Sequence, residues 1–367
     1  MYYDPRGVRV VFIMAAVAAL LRLGLVARAT GLVAVEAAAS GGAAGVFDVL
    51  KYGAKGDGAA DDGTAIAAAY SACAAAGGGT VLFRSGHIFR SGPIDLSCND
   101  SVTTVQAGAT ILARNSTAGW PFGLDCPEPA QGKTPKQMAP MLLVAHGRNV
   151  TVNGGGVVDA NGEMWWDGAC GNWWCRDGHA GGATAFRPFL FRIDHSTGIR
   201  VHNVSLRNSG FWTLVPVHSS GIEIIGVNVS AAFTRRPPHW PADRHDLLDT
   251  PNTDGIEPMW SRDVFISHVR VINGDDCITV KSGSRDILVE DLYCEHGDGL
   301  TIGSIWYSLT PHSGQTSLCM HDLCCLSHER NLDRTPTGLH QLVRICCAKS
   351  SSMDALLMKP RTCDPVP

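Results

Sequence analysis

The sequence repeats itself with a period of about 22 residues, and this period constrains the fold more than any other feature. "SRDVFISHVRVINGDDCITVKSG" begins at Ser261, and "SRDILVEDLYCEHGDGLTIGS" begins one period later at Ser284. Two earlier copies begin at Ser196 and Ser219, which have the same separation, and "GRNVTVNGGGVVDANG" from Gly147 is similar. Each copy contains short strand patterns separated by small polar turns. A period of this length that is made of strands alone predicts a parallel β-helix.

Other repeat folds do not fit the pattern. A β-propeller needs longer units with four strands each, and a leucine-rich repeat needs a Leu/Asn ladder that these copies lack. The 41 glycines and the short β-branched runs also favour an all-β chain with many turns. A chain of 367 residues with 45% hydrophobic content can form one large domain, and its formal charge of −4 argues against a nucleic-acid partner.

A helix is predicted just before the repeats. In "DDGTAIAAAYSACAAAGGGT", Asp61 or Asp62 is the candidate N-cap, the helix begins at about Thr64, and Gly77 ends it. The end of a β-helix exposes unpaired strand edges. We therefore expect this helix to act as an N-terminal cap on the β-helix.

The N-terminal segment is typical of a secretory signal peptide. Arg6 and Arg9 precede the apolar run "VVFIMAAVAALL", and "ARA" at 27–29 provides a cleavage site of small residues. A signal anchor that stays in the membrane is the alternative, although about a dozen apolar residues is shorter than a typical span. We expect cleavage of residues 1–29, which leaves a secreted, extracellular or cell-wall protein that is monomeric and not attached to a membrane. Five sequons are compatible with secretion, at Asn99, Asn115, Asn149, Asn203 and Asn228.

Three aspartates occupy the same position of successive repeats. The aliphatic residue that follows each of them recurs once per period, at Ile256, Ile278 and Leu300. Stacked parallel strands lie about 4.8 Å apart, so these aspartates are predicted to form a ladder, with Asp275 directly beside it. The ladder consists of Asp254, Asp276 and Asp298.

Placing like charges side by side in such a ladder costs free energy of folding, which suggests that the ladder has a function. Repulsion between like charges raises the pKa of at least one carboxyl group, which leaves a protonated acid beside ionised bases. Glycosidic cleavage requires this division, because one group protonates the leaving oxygen while another activates water. The alternatives are a structural aspartate ladder that caps turns and a cation site.

Three motifs carry a resemblance to a known family. "NTDGIEP", "GDDCITVKSG" and "HGDGLTIGS" resemble three of the four signature motifs of glycoside hydrolase family 28, the polygalacturonases and related pectinases. "FDVLKYGAKGDGAADDGTAIAAA" resembles the opening coil of this family and of related pectin-active proteins. The resemblance covers Val46 to Tyr307 and implies that residues 46–307 form a right-handed parallel β-helix of the pectin-lyase-like type.

The resemblance also implies roles for the acids. Asp254 and Asp276 correspond to the pair that holds the attacking water, and Asp275 corresponds to the proton donor. The family hydrolyses α-1,4-galacturonosyl links of pectin with inversion, which requires a gap of about 6.5–9.5 Å between acid and base. The resemblance implies no metal or organic cofactor. It does imply a disulfide between Cys277 and Cys294.

Two motifs depart from the family pattern. The third motif usually reads Gly-His-Gly, whereas this chain has Asp298 in the middle position and His296 two positions earlier. His296 is a candidate catalytic residue if the backbone is locally extended, because side chains two apart on a strand share a face; an ordinary turn histidine is the alternative. The fourth motif, Arg-Ile-Lys, which supplies cations for the galacturonate carboxylate, does not occur downstream.

Residues 308–367 do not continue the period of the repeats. Six of the 13 cysteines lie in this tail, and none of them gives a convincing zinc pattern. We interpret the tail as foreign to the β-helix, either through a splice or frame error in the predicted gene or as a genuine Cys-containing appendage. These cysteines are Cys319, Cys324, Cys325, Cys346, Cys347 and Cys363.

Candidate substrate ligands lie in and around the motifs. The segment 235–251, "RRPPHWPADRHDLLDTP", interrupts the repeats and is predicted to form a loop that overhangs the acids. Its basic residues could pair with an acidic sugar, and Trp240 could stack on a pyranose ring; a solvated basic loop is the alternative. The four tryptophans between Met164 and Cys175 could line a sugar groove or pack in a core with a Cys170–Cys175 disulfide. The candidate cations are Lys281, Arg235, Arg236 and Arg244.

The leading functional prediction is a secreted polygalacturonase-type hydrolase that acts on a pectic polysaccharide. A hydrolase of the same family that acts on rhamnogalacturonan is one alternative, because such members also lack the motif histidine. A lyase on the same fold is a second, although it would use calcium and an arginine base. A third, from a different class, is a catalytically impaired β-helix that only binds the cell wall.

Overall fold

The computed structural model describes residues 45–125, 136–166, 174–175, 185–237, 246–303, 316–326 and 343–347. Of residues 174–175, 185–186, 316–326 and 343–347, only the backbone is described. The chain divides into two units, Met1–Ala44 and Gly45–Pro367, and the second contains all the described residues. The predicted signal peptide, residues 1–29, lies outside them.

Short strands make up most of the described chain. A 3₁₀ helix covers Val49–Tyr52, and two α-helices cover Gly63–Ala75 (α1) and Glu163–Trp166 (α2). The first half of the strands is β1 (Val46–Asp48), β2 (Asp57–Asp61), β3 (Gly79–Phe83), β4 (Ile88–Ser91), β5 (Ile94–Asp95), β6 (Ser101–Val105), β7 (Thr110–Ala113), β8 (Phe122–Asp125), β9 (Lys136–Met138), β10 (Leu142–Ala145), β11 (Arg148–Asn153), β12 (Val157–Asp159) and β13 (Trp174–Cys175). The second half is β14 (Ala185–Phe186), β15 (Phe191–Asp194), β16 (Thr197–His202), β17 (Ser205–Arg207), β18 (Leu214–Val217), β19 (Ser220–Ile225), β20 (Asn228–Ser230), β21 (Arg262–Ile272), β22 (Ile278–Val280), β23 (Arg285–Glu295), β24 (Leu300–Ile302), β25 (Thr316–Leu326) and β26 (Val343–Cys347).

Successive coils of the chain stack most of these strands into three parallel ladders, and β8, β9, β13 and β14 form a separate sheet. The first ladder runs β1-β3-β6-β11-β16-β19-β21-β23-β25-β26, and the second runs β2-β4-β7-β12-β17-β20 and continues through the second halves of β21, β23 and β25. The third runs β5-β10-β15-β18, continues through the bridges Leu214↔Ile256 and Ile256↔Ile278, and ends with β22-β24. This arrangement is the right-handed parallel β-helix that the repeats predicted.

The first residue of each repeat joins one coil to the next. The backbone N–H of Ser196 donates to Oγ of Ser219, that of Ser219 to Oγ of Ser261, and that of Ser261 to Oγ of Ser284, at 3.0–3.4 Å. Two positions after the first residue of each copy the chain takes a left-handed turn, which glycine, asparagine and aspartate tolerate best. Those positions are Asn149, Gly198, Gly221, Asp263 and Asp286.

Columns of aliphatic side chains fill the inside of the coils. Residues that pair along the first ladder are also buried one above the other, so every coil adds one layer to a continuous core. This explains why the repeats alternate apolar and polar residues after each opening serine. One such column is Val150, Ile199, Ile222, Val264 and Ile287.

Helix α1 lies at the N-terminal end of the described coils, as predicted. Its N-cap residue is Asp62, whose carboxylate accepts hydrogen bonds from the backbone of Lys55 and Gly56 rather than capping the helix. A disulfide that the sequence did not predict joins Cys73 of α1 to Cys98. At 13 residues α1 is the longest helix in the described chain, and no helix there is long and apolar enough to cross a membrane.

The predicted disulfide between Cys277 and Cys294 is present. Both cysteines are buried, and Cys277 directly follows Asp276. The bond therefore ties the turn that carries the paired aspartates to β23 of the following coil.

The sheet continues past Tyr307, where the sequence pattern predicted that it ends. β25 pairs in parallel with β23, for example Ile287↔Leu318, and β26 pairs with β25, for example Leu318↔Ile345. Partners in these two pairs are not separated by the constant period that separates partners in β21 and β23. Neither strand follows the serine that opens the copies from Ser196 onward, so a search for repeats missed both strands. Whether the coding sequence of residues 308–367 is genuine is a separate question that transcript sequencing across Tyr307 and Ser308 answers.

Removal of residues 304–367 should destabilise the protein. Without β25, the 11-residue strand β23 becomes an unpaired edge, which favours aggregation and local unfolding. We expect the shortened chain to melt at a lower temperature than the full chain and to aggregate in light-scattering measurements. A control chain that ends at residue 347 keeps β25 and β26 and should melt like the full chain. Equal melting temperatures for the chain ending at Gly303 and the full chain would contradict this role.

Candidate active site

The structure places Asp254, Asp276 and Asp298 at equivalent positions of three successive coils. Each lies two positions before one of the paired residues Ile256, Ile278 and Leu300 of the third ladder. Backbone hydrogen bonds connect these segments directly, including one of 2.9 Å from Gly255 N–H to the carbonyl of Asp276.

The turn "NGDD" is built to present both of its aspartates. The Asn273 amide donates to the carbonyls of Thr253 and Asp276, each at 2.8 Å, so one buried side chain joins two coils. Gly274 is required here, because a Cβ would lie 2.3 Å from backbone atoms of Thr250. The residues that form this turn are therefore also residues of the candidate active site.

Three of the four predicted acids form one cluster. One carboxylate oxygen each of Asp254, Asp275 and Asp276 lies within 4.8 Å of the others, and we call these residues the carboxylate cluster. Asp254 is buried, the other two are half-buried, and Asp298 is exposed. These closest oxygens are nearer to one another than the gap of about 6.5–9.5 Å expected between the acid and base groups of an inverting enzyme.

Asp275 is a half-buried acid whose ionisation is strongly opposed by its surroundings. Burial, together with repulsion from Asp254 and Asp276, raises the pKa of Asp275 to about 8. Its Oδ1 accepts a hydrogen bond of 3.0 Å from the backbone of Asp276, and its Oδ2 accepts one of 3.4 Å from the Asn252 amide. Asp275 therefore keeps its proton at a pH where ordinary aspartates are ionised.

Asp254 is a buried carboxylate with positive charge nearby. Burial raises its pKa, and a hydrogen bond with the Glu257 side chain and the Lys281 ammonium oppose the increase. Among the described residues, Asp254 Oδ1 has no hydrogen-bond partner. This oxygen is itself buried and has almost no surface exposed to solvent.

Asp276 is held by a short chain of hydroxyl groups. Thr301 donates to Thr279 at 3.2 Å, and Thr279 donates to Asp276 Oδ2 at 2.9 Å. Burial raises the pKa of Asp276, and these hydroxyl groups and Lys281 oppose the increase. The ionised form of Asp276 therefore has support that Asp275 lacks.

Arg187 is a functional residue that the sequence reasoning missed. Its side chain is fully buried, and it donates to the carbonyls of Gly210 and Pro251 and to Oδ1 of Asn252. Burial lowers its pKa to about 10, and the charges of Asp254 and Asp275 oppose this decrease. Arg187 thus fixes the residue that contacts Asp275. The available signal was a lone charge in the aromatic run "FRPFLF".

His296 does not meet the condition set for a catalytic role. Its φ of 68° is left-handed rather than extended, so the rule that places it on the same face as Asp298 does not apply. Its Nδ1 is 3.0 Å from the carbonyl oxygen of Asn273, and its Nε2 is 2.8 Å from Oδ2 of Asp246. The ring joins this turn to the chain that precedes the first motif.

The predicted substrate cations are dispersed. Lys281 is 5% exposed and lies against Glu257 and Trp212, so little of its surface is open to a substrate. Arg235 and Arg236 are exposed on the segment after β20. Arg244, together with His239, Trp240 and His245, lies outside the described residues.

The tryptophans of the aromatic segment pack in the core where their side chains are described. Trp165 is fully buried in an edge-to-face contact with Trp120, and Trp166 makes a similar contact with Phe233. They do not line a groove. Cys170 and the side chain of Cys175 lie outside the description.

The carboxylate cluster also has the spacing of a cation site. However, the cations Lys281 and Arg187 are already buried beside it and reduce its negative charge. We therefore interpret the cluster as an acid–base group and not as a metal centre.

Comparison with known proteins identifies the family. The family description "Glycosyl hydrolases family 28" matches residues 90–308. A polygalacturonase of Cryptomeria japonica is 30% identical over 270 residues, which are 71% of this chain and 44% of that protein. An exopolygalacturonase of Cochliobolus carbonum is 26% identical over 249 residues, 68% of this chain and 49% of that protein. The chain thus spans about half the length of the curated relatives it matches.

Solved structures share the fold. The family 28 exopolygalacturonase of Yersinia enterocolitica aligns with a TM-score of 0.55 at 18% identity, over 76% of this chain and 54% of that one. The endo-xylogalacturonan hydrolase of Aspergillus tubingensis aligns with a TM-score of 0.55 at 21% identity, over 76% of this chain and 73% of that one. With a parallel β-helix, an aligned set of aspartates and a family match over more than half its length, this chain belongs to glycoside hydrolase family 28.

Proposed function

We propose that this chain is a secreted polygalacturonase-type glycoside hydrolase that cleaves α-1,4-galacturonosyl links of pectin. The observation that carries the proposal is the carboxylate cluster. In it, one acid with a pKa of about 8 lies beside two carboxylates whose ionised forms are stabilised by hydrogen bonds and by Lys281. Such a separation of protonation states allows one site to supply both an acid and a base. The polygalacturonases among the relatives support the choice of substrate.

Asp275 is the general acid of this proposal. At neutral pH it carries a proton, which it donates to the glycosidic oxygen as the bond from that oxygen to the anomeric carbon breaks. The sugar that leaves thus departs as a neutral alcohol. Arg187 and Asn252 hold Asp275 in place for this transfer.

Asp254 and Asp276 form the base pair of this proposal. Two oxygens that both bind one water lie at most about 5.5 Å apart, since each hydrogen bond is about 2.7–2.8 Å long. The spacing in the cluster, within 4.8 Å, fits this limit. The water attacks the anomeric carbon, its oxygen forms the new bond, and its proton passes to the pair.

Secretion is part of the proposal and rests on the charged and apolar pattern of residues 1–29. Arg235 and Arg236 are proposed to meet the uronate carboxylates, because they are exposed on the chain that leads towards the first motif. The reaction gives His296 no role.

Replacing the proton donor should abolish hydrolysis. Asp275→Asn is nearly isosteric but cannot protonate a leaving oxygen, so we expect reducing-end release from polygalacturonate to fall at least about 100-fold. Asp263→Asn is the matched control, because Asp263 is exposed in a left-handed turn that asparagine tolerates. Retention of more than a tenth of the activity by Asp275→Asn would rule out this role for Asp275.

The same assay tests the other functions. Release from rhamnogalacturonan but not from polygalacturonate would identify the rhamnogalacturonan-type alternative. Unsaturated products that absorb in the ultraviolet, and that no longer form when EDTA is added, would indicate a lyase. Binding to polygalacturonate without cleavage would indicate a wall-binding protein. Activity on polygalacturonate should decline as the pH rises through about 8, because Asp275 then loses its proton.

The products should show inversion at the anomeric carbon. This expectation rests on the family resemblance, since the closest carboxylate oxygens are nearer than in a typical inverting pair. Proton NMR of the first products should show β-anomers before mutarotation begins. α-Anomers as first products would indicate retention, which the short spacing permits.

Asp275→Asn should also change how stability depends on pH. Folding raises the pKa of Asp275 from its ordinary value of 3.8 to about 8. The contribution of Asp275 to the stability of the wild type is therefore largest below pH 3.8 and is lost as the pH rises through about 8. Asp275→Asn has a neutral amide at this position, so its stability does not fall with pH for this reason. We expect the melting temperature of the variant relative to the wild type to increase from pH 4 to about pH 8. A constant difference over this range would show that Asp275 ionises normally.

A further inference from the structure

A buried lysine lies close to the proposed base pair. Lys281 directly follows β22, and its ammonium is 3.7 Å from Glu257 Oε1. The Lys281 side chain is 7% exposed and that of Glu257 is 0% exposed. Both residues are therefore too deep to contact a polysaccharide as ordinary surface ligands.

An aromatic stack holds this lysine. Trp212 stacks on Phe189 and Phe211 at ring distances of 5.1 and 4.9 Å, and the Lys281 ammonium is 4.4 Å from the centre of the Trp212 ring. Arg187 lies 5.0 Å from the centre of the Phe211 ring. The stack thus fixes two buried cations on the side of the third ladder that carries the acids, and cation–π contacts of this kind strengthen when water is excluded.

We propose that Lys281 is a positioning residue, whose buried ammonium keeps Asp254 and Asp276 ionised so that they can accept a proton from the attacking water. This inference rests on the proposed function and deepens it. It also replaces the role in substrate binding that the sequence suggested for Lys281.

Lys281 is a cation that favours ionisation of both members of the base pair. Repulsion within the cluster and burial both oppose ionisation of the pair, and Lys281 opposes these effects at Asp254 and at Asp276 alike. Arg187 instead lies near Asp254 and Asp275. The charged and titratable groups that face the pair are Asp275, Asp298, Glu257, Lys281 and Arg187.

The pH profile of hydrolysis tests this role. Loss of the cation makes the ionised pair less favourable, so Lys281→Met should move the acidic limb of kcat/KM on polygalacturonate upwards by about one pH unit. Lys281→Arg keeps the charge and should keep the limb near its wild-type position. A purely structural lysine would lower activity at every pH without moving the limb, and an unmoved limb in a folded Lys281→Met protein would overturn the proposal.

A second variant covers the case in which Lys281→Met does not fold. Lys281→Gln keeps a polar side chain beside Glu257 but carries no charge, so the acidic limb should again move to higher pH. No shift, or a shift to lower pH, in this folded variant would overturn the proposal. Melting curves of each variant establish that it is folded.

The chain offers a matched control for these changes. Arg270 pairs with Glu295 at 3.3 Å and lies 4.4 Å from the centre of the Tyr293 ring, which repeats the arrangement of cation, glutamate and aromatic ring on an exposed surface. Its side chain is 51% exposed. Arg270→Met should leave the acidic limb in place, because solvent screens this charge. A shift as large as that of Lys281→Met would show that the effect is not local.

Failure of the proposed function can be told apart from failure of this inference. If the wild type cleaves no pectic substrate, the proposed function fails, and carbon-13 NMR titration of labelled aspartate carboxyl groups still measures the pair. The Asp254 and Asp276 signals, assigned with Asp→Asn variants, should titrate at higher pH in Lys281→Met than in the wild type. Unchanged titration would overturn the role of Lys281 whatever the substrate.

Discussion

Repulsion between carboxylates that the stacked coils force together is the constraint on which the rest of the site depends. Asp254 and Asp276 occupy equivalent positions of adjacent coils, and Asp275 is covalently next to one of them. Parallel strands lie about 4.8 Å apart, so the charges cannot separate without breaking the ladder. Burial adds a desolvation penalty to the repulsion. The protein meets this penalty with one protonated acid and two buried cations.

The three acids are equivalent in residue type and differ in their neighbours. Asp276 has a chain of threonine hydroxyls, and Asp254 lies near Glu257 and Lys281. Asp275 has one backbone donor and a long contact from Asn252. These neighbours therefore affect the pKa of each carboxyl group differently, and an acid and a base in one site require such a difference.

The cations that balance the cluster are themselves costly to bury. A buried charge without good partners is strongly destabilising. Arg187 has three hydrogen-bond acceptors, and Lys281 has Glu257 and the ring of Trp212. The stack of Phe189, Phe211 and Trp212 contacts both cations and belongs to a hydrophobic cluster separate from the main core. This second cluster has a direct use in placing charge next to the acids.

Local repetition in the sequence determined the β-helix and the register of the aspartates, because both follow from the spacing of the repeats. Helix start and stop signals predicted the cap helix, and the family resemblance implied the Cys277–Cys294 bond. The sequence could not show that Lys281 and Arg187 are buried beside the acids, since their partners Trp212 and Asn252 lie several coils away along the chain. It also missed β25 and β26, because these strands lack both the constant period and the opening serine of the repeats, and strands can pair without either. Only the tertiary structure showed that the pKa of Asp275 is raised to about 8. A pKa depends on burial and on the sum of nearby charges, and these come from separate coils that meet only when the helix is complete.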